Sequence, residues 1–168
     1  MKTNDDICLI VQARLGSQRI PGKMLREFCG TTLVDILFEK LKKLKNLPLN
    51  NIYFSAYEPE LKEVAEKHGI KIFHRSKKSA DSEGQPLDEI YEWYNKIPSD
   101  PKYVVLVSAC NPLLKTETID SFIDSFKKSD KEGAFAVFEK KTYYWDKNKN
   151  NITDWAGSTI MNTKFVDP

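Results

Sequence analysis

Three of the four arginines in this 168-residue chain, Arg14, Arg19 and Arg26, fall within thirteen residues, whereas its 22 lysines are scattered. Arginine presents a rigid fork of donors that matches phosphate geometry, and lysine a mobile point charge. The window reads Ala13-Arg14-Leu15-Gly16-Ser17-Gln18-Arg19-Ile20-Pro21-Gly22-Lys23 and follows directly on the apolar run Ile7–Val11. Gly16 and Gly22 allow a ligand to approach the backbone closely, and successive amides can form an anion-binding nest. Arg14, Arg19 and Lys23 supply countercharge, so this combination suits a polyphosphate.

Two familiar phosphate motifs do not fit the spacing. A P-loop places four residues between its glycines and then Lys-Ser/Thr, whose hydroxyl holds magnesium. Here five residues separate Gly16 from Gly22, and Met24 follows Lys23. Cys8 and Arg14 have the separation of a cysteine phosphatase loop, but the residues between them are Leu-Ile-Val-Gln-Ala. Their amides would be consumed by sheet hydrogen bonds, so Cys8 is expected in the core.

The elements that must position this loop alternate. Apolar, β-prone runs occur at Ile7–Val11, Ile52–Phe54 and Tyr103–Val107, with a fourth candidate at Gly133–Phe138. Near-continuous apolar runs mark strands buried on both faces of a parallel sheet. Leu33, Ile36, Leu37, Leu41 and Leu44 sit at helical spacing behind a Thr32 cap. Further helices are expected from Pro59 to Gly69, after Pro86 (Leu87, Ile90, Tyr91, Tyr94) and from Thr116 (Ile119, Phe122, Ile123, Phe126). This alternation predicts a layered α/β fold in one domain spanning residues 1–168. In open α/β sheets ligands bind beyond the carboxyl ends of the strands, where the arginine window lies. The pattern fades after residue 140, with a short last strand at Ser158–Asn162.

The totals bound the function. A formal net charge of +2 does not create a nucleic-acid or membrane field. No apolar run nears the roughly 18 residues that span a bilayer, and the N-terminus lacks a secretory pattern. Three cysteines make neither a disulfide framework nor a metal-type pair, which suits a reducing cytoplasm.

The loop Ala-Arg-x-Gly-Ser-x-Arg-x-Pro-Gly-Lys resembles the signature of cytidylyltransferases that activate acidic sugars. These are the CMP-sialic acid and CMP-Kdo synthetases and the spore-coat-polysaccharide-type enzymes. Arg75-Ser76 through Asp81-Ser82 to Leu87 resembles a second family segment, and Leu106 to Leu113 a third, over roughly residues 7–138 in all. The resemblance implies a three-layer Rossmann-like nucleotide-diphospho-sugar transferase fold with a mostly parallel central sheet. It implies transfer of CMP from CTP to an acidic sugar with release of pyrophosphate, aided by magnesium. Carried onto this chain, Lys23 and Arg14 are the catalytic candidates. Ala13, Leu15, Gly16, Ser17, Arg19, Lys23, Ser82 and Asn111 would bind nucleotide, and Arg75 the sugar substrate. The region from Tyr143 to Trp145 would begin an arm used for homodimer formation.

This sequence departs from the family in two places. The magnesium-binding aspartate of the Kdo and spore-coat types falls on Cys110, and the Asp-x-Asp pair of the sialic-acid type occurs nowhere in the chain. The metal ligands are therefore unassigned. A nucleotide- or sugar-binding module of the same fold, without turnover, stands as the alternative.

Overall fold

The computed structural model describes residues 2–81, 86–94, 96–140 and 142–153. At its centre is β1 (Ile7–Gln12), whose first five residues are all buried, because neighbours cover both faces. β4 (Ile52–Ala56) pairs with it on one side and β6 (Tyr103–Ser108) on the other; β5 (Lys71–His74) pairs with β4. All four strands are parallel, in the order β5-β4-β1-β6. Between β1 and β4 lie a two-strand hairpin, β2 (Glu27–Phe28) and β3 (Thr31–Thr32), and then α1 (Leu33–Leu41).

Side chains alternate across the sheet, so β1 feeds two cores. Ile7, Leu9 and Val11 pack in one cluster with Phe38 of α1, Leu61 of α2 (Pro59–Lys67) and Ile123 of α5 (Thr116–Lys128). Cys8 and Ile10 pack on the opposite face with Tyr53, Trp93 and Ile97. The middle layer is thus the sheet, with helices on one face and the segment carrying Trp93 and Ile97 on the other; the layered, parallel α/β arrangement is the one the sequence led us to expect. Phe38 is fully buried and meets the Phe54 ring edge-on at 4.9 Å. Burying a side chain of that size contributes about 1.5–3 kcal/mol.

Local signals set the helix ends. Thr32 caps α1 by accepting from the Asp35 amide at 3.2 Å. Pro59 occupies the first turn of α2, and Gly69 follows its end at φ +68°. α5 is entered from Lys115 and buries Ile119, Ile123 and Phe126.

The structure differs from the sequence pattern in four respects. β5 escaped notice because its run is short and its ends are exposed. Behind Pro86 the helix is a single turn, α4 (Leu87–Ile90), and Leu87 and Tyr94 of the expected stripe are exposed. Trp93 and Ile97 carry the burial there instead. α3 (Lys77–Ala80) is another single turn, capped by Ser76. The fourth strand candidate, Gly133–Phe138, is not a strand: Phe135, Val137 and Phe138 are exposed, so nothing rewards ladder formation. The strand expected at Ser158–Asn162 lies outside the described residues.

The chain divides into two units, Met1–Glu132 and Gly133–Pro168. In the second, an isolated bridge joins Trp145 to Asn151 around a turn in which Asp146 accepts from the Asn148 and Asn150 amides. The Tyr143 and Trp145 rings lie 6.2 Å apart. No helix among the described residues is long and apolar enough to cross a membrane.

Candidate functional site

From β1 the chain crosses to β4 and β5 on one side and later returns to β6 on the other. The carboxyl ends of β1 and β6 therefore flank the point where strand order reverses, with Gln12 in register with Ser108. Crevices form at such points because the connections leave in opposite directions. A cavity of about 670 Å³ opens there. Its walls come from the β1–hairpin loop (Gly16, Ser17, Arg19, Lys23), from Arg14, Arg75 and Asp81, and from the end of β6 through Cys110.

The loop's own bonds fix its shape. Leu15 accepts from the Ser17 amide at 2.8 Å and the Gly22 amide at 3.4 Å, folding residues 15–22 into a closed turn. Gly22 sits at φ +63°, where a side chain would be strained. Met24 is buried and accepts through its carbonyl from Val34, tying the loop's exit to α1. The loop's entry is held by Glu58, whose Oε1 accepts from the Leu15 amide at 2.7 Å.

Two arginines converge on the cavity in different states. Arg14 donates through Nη1 to the carbonyls of Asp81 (2.5 Å) and Ala80 (3.4 Å), joining the loop to the end of α3. Arg75 is 5% exposed, and its guanidinium donates to the Ser79 hydroxyl at 2.8 Å and to the Ser79 carbonyl. Burial, with Arg14 nearby, lowers the Arg75 pKa from the ordinary guanidinium value; Glu58 and Glu92 oppose that shift. Two cations facing one cavity amid few countercharges favour an anionic occupant.

Of the residues named from sequence, Arg14, Ala13, Gly16, Ser17, Arg19, Lys23 and Arg75 line this one cavity. Two do not. Leu15 is packed against the core, with its backbone N–H and C=O both engaged. Asn111 is exposed beyond the strand end, where its carbonyl accepts from the Leu114 amide and from Lys40. Ser82 lies outside the described residues. His68, beside the helix-ending Gly69, is the C-cap residue of α2; its side chain is largely buried, with Nε2 2.9 Å from Asp35. Cys8 is core, and burial pushes its thiol up to about 12.

Sequence reasoning missed Glu58, Lys40, Gln12 and Trp93. Lys40, whose pKa burial lowers, donates to the Asn111 and Pro112 carbonyls and so pins the turn after β6. Nothing in local spacing marks residues that act across 71 or 81 positions.

Among the described residues the donor set does not fit a protein-held magnesium. Asp81 is the one carboxylate among the described cavity residues, and Cys110 contributes a thiol where the ion wants hard oxygen. No group of three potential metal ligands occurs among the described residues.

Comparison with known proteins gives concordant results. The sequence matches the family described as Cytidylyltransferase over residues 8–160. It is 32% identical over 116 residues to 3-deoxy-manno-octulosonate cytidylyltransferase of Francisella philomiragia, covering 68% of this chain and 44% of that protein. It is 28% identical over 123 residues to spore coat polysaccharide biosynthesis protein SpsF of Bacillus subtilis, covering 72% and 50% respectively. The chain thus spans about half the length of these curated relatives. Among solved structures, a cytidylyltransferase from Leptospira borgpetersenii superimposes with a TM-score of 0.57 at 25% identity, covering 72% of this chain and 48% of that one.

Proposed function

Because the chain belongs to the cytidylyltransferase family, we propose that it transfers CMP from CTP to an acidic sugar of the nonulosonic type for surface polysaccharide synthesis. The observation that carries this reading is the convergence of Arg14, Arg19 and Lys23 on one cavity at the strand-order reversal. The sugar's anomeric hydroxyl attacks the α-phosphorus, its proton leaves to solvent or a base, and the bond to the bridging oxygen breaks to release pyrophosphate. Such chemistry needs alignment and relief of growing negative charge more than covalent help. Lys23 and Arg19, which line the cavity, supply the cations for the phosphates. Arg14 does so while bonded to the carbonyls of residues 80 and 81. Magnesium enters the proposal as an ion carried by the triphosphate, and no step here is derived through it.

A second reading, binding without turnover, is favoured by one observation: Cys110 stands at the cavity rim at the position that the family resemblance gives to an aspartate. Pyrophosphate release separates the two. With CTP, magnesium and a panel of sugar acids, the first reading expects release that Lys23→Ala abolishes. CTP binding with no release for any sugar acid establishes the second; no CTP binding at all removes both.

A further inference from the structure

Gln12 closes β1 and bounds the cavity, yet the reading above gives it no task. Its side chain shares the Cys8–Ile10 face of the sheet, next to Leu106 and Ser108 of β6 by register. That face is covered on one side by Trp93 and open on the other, where Leu106 and Ser108 are exposed. Gln12 sits at the boundary. Its Oε1 accepts from the Trp93 indole Nε1–H at 2.8 Å.

The indole nitrogen can only donate, so the amide oxygen must face Trp93 and the amide nitrogen must face the other way. Trp93 is itself buried in the second core cluster, so the lock is rigid. Nε2 makes no hydrogen bond to a described residue. With Oε1 held by Trp93, Gln12 presents its two amide N–H donors on the side away from the indole. The cavity lining there is mixed: Ile90 and Leu106 are apolar, while Tyr91 and Ser108 carry hydroxyls.

Resting on the nucleotide reading of the cavity, we propose that Gln12, locked by Trp93, reads the base. Cytosine offers two adjacent acceptors, O2 and N3; uracil offers O2 beside an N3–H donor. A group that can only donate accepts the first edge and clashes with the second. An unlocked glutamine would flip and serve both. Specificity built on a fixed donor is stronger than specificity built on shape, because the wrong base leaves buried polar groups unpaired.

The test compares CTP with UTP dissociation constants by calorimetry for wild type, Gln12→Glu and Trp93→Phe, with magnesium present. Gln12→Glu keeps the volume and the bond to Trp93 but replaces the donors by an acceptor. Its preference for CTP should fall about tenfold or more, the value of one such hydrogen bond. In Trp93→Phe the amide can turn, and UTP should gain relative to CTP. General charge repulsion in the glutamate variant weakens both nucleotides alike, so the ratio isolates base reading. A wild type that prefers CTP, with an unchanged ratio in Gln12→Glu, overturns the inference and leaves the family activity standing. A changed ratio in Gln12→Glu alone, with Trp93→Phe folded and unaltered, overturns the lock. Failure of the wild type to bind any nucleotide overturns both this inference and the function it rests on. Because Gln12→Glu is nearly isosteric, it decides the matter even if Trp93→Phe does not fold.

Discussion

Replacing Glu58 by alanine should loosen the cavity loop at its entry, although Glu58 does not itself line the cavity. Glu58 Oε1 accepts from the Leu15 amide at 2.7 Å, a short bond to a charged acceptor in a half-buried position. Hydrogen bonds to charged groups contribute about 1.5–3 kcal/mol, and the deleted carboxylate leaves the Leu15 N–H without an acceptor. With a urea dependence of about 2 kcal/mol per M for a domain of this size, the unfolding midpoint should fall by roughly 1 M. Glu58→Gln keeps a carbonyl acceptor and should recover about half of that loss. Native-state hydrogen exchange adds a local readout, in which the Leu15 amide exchanges faster in Glu58→Ala while amides within β4 follow global stability alone. Unchanged exchange at Leu15, or equal losses in the alanine and glutamine variants, would refute the assignment of Glu58 as the loop's anchor.

The two loop glycines should part company on substitution. Gly22→Ala forces a side chain into φ +63° and should cost about 1–2 kcal/mol by thermal unfolding. Gly16→Ala, with open space around the added carbon and no positive φ, should leave stability nearly unchanged and weaken triphosphate binding instead. A thiol reagent at pH 8 should label exposed Cys29 and Cys110 in the folded protein and spare Cys8, whose thiol burial pushes up to about 12; rapid labelling of Cys8 would contradict its core position. Burial alone would raise the Asp35 pKa, but hydrogen bonds from Thr32 and His68 outweigh it and hold the carboxyl below 3.8. A depressed folded pKa means that stability is present above the unfolded value and lost as pH falls through the folded one. Asp35→Asn should therefore flatten the acid limb of the stability profile below about pH 4, as measured by urea midpoints.

What the sequence displays is what repeats locally. The three long strands and three long helices were legible because burial on one or both faces writes a period into adjacent residues. The loop was legible because its arginines, glycines and proline lie within a dozen positions of one another. Gly133–Phe138 has the composition of a buried strand, yet its side chains are exposed; composition records what a segment could bury, not whether a partner is present. Glu58 is invisible for a related reason. A glutamate before Pro59 reads as a helix-start residue, and only the return of β4 beside β1 brings it to the Leu15 amide. Arg75 was noticed for its charge, but its burial among Ser79 and Glu92 depends on two single-turn helices too short to show a period.

The register of Gln12 with Ser108 also dictates when the site can exist. Strands so distant in sequence meet late, since closing a long loop costs entropy before any contact returns it. A ribosome that has released only the first eighty residues has already made every residue of the arginine window, together with β1, β4 and β5. The wall supplied by β6 is still missing, and one edge of β1 is left unpaired. A nascent chain at that stage carries the whole arginine window but no crevice around it, so any ligand of the cavity can stabilise the fold only after the fourth strand has docked.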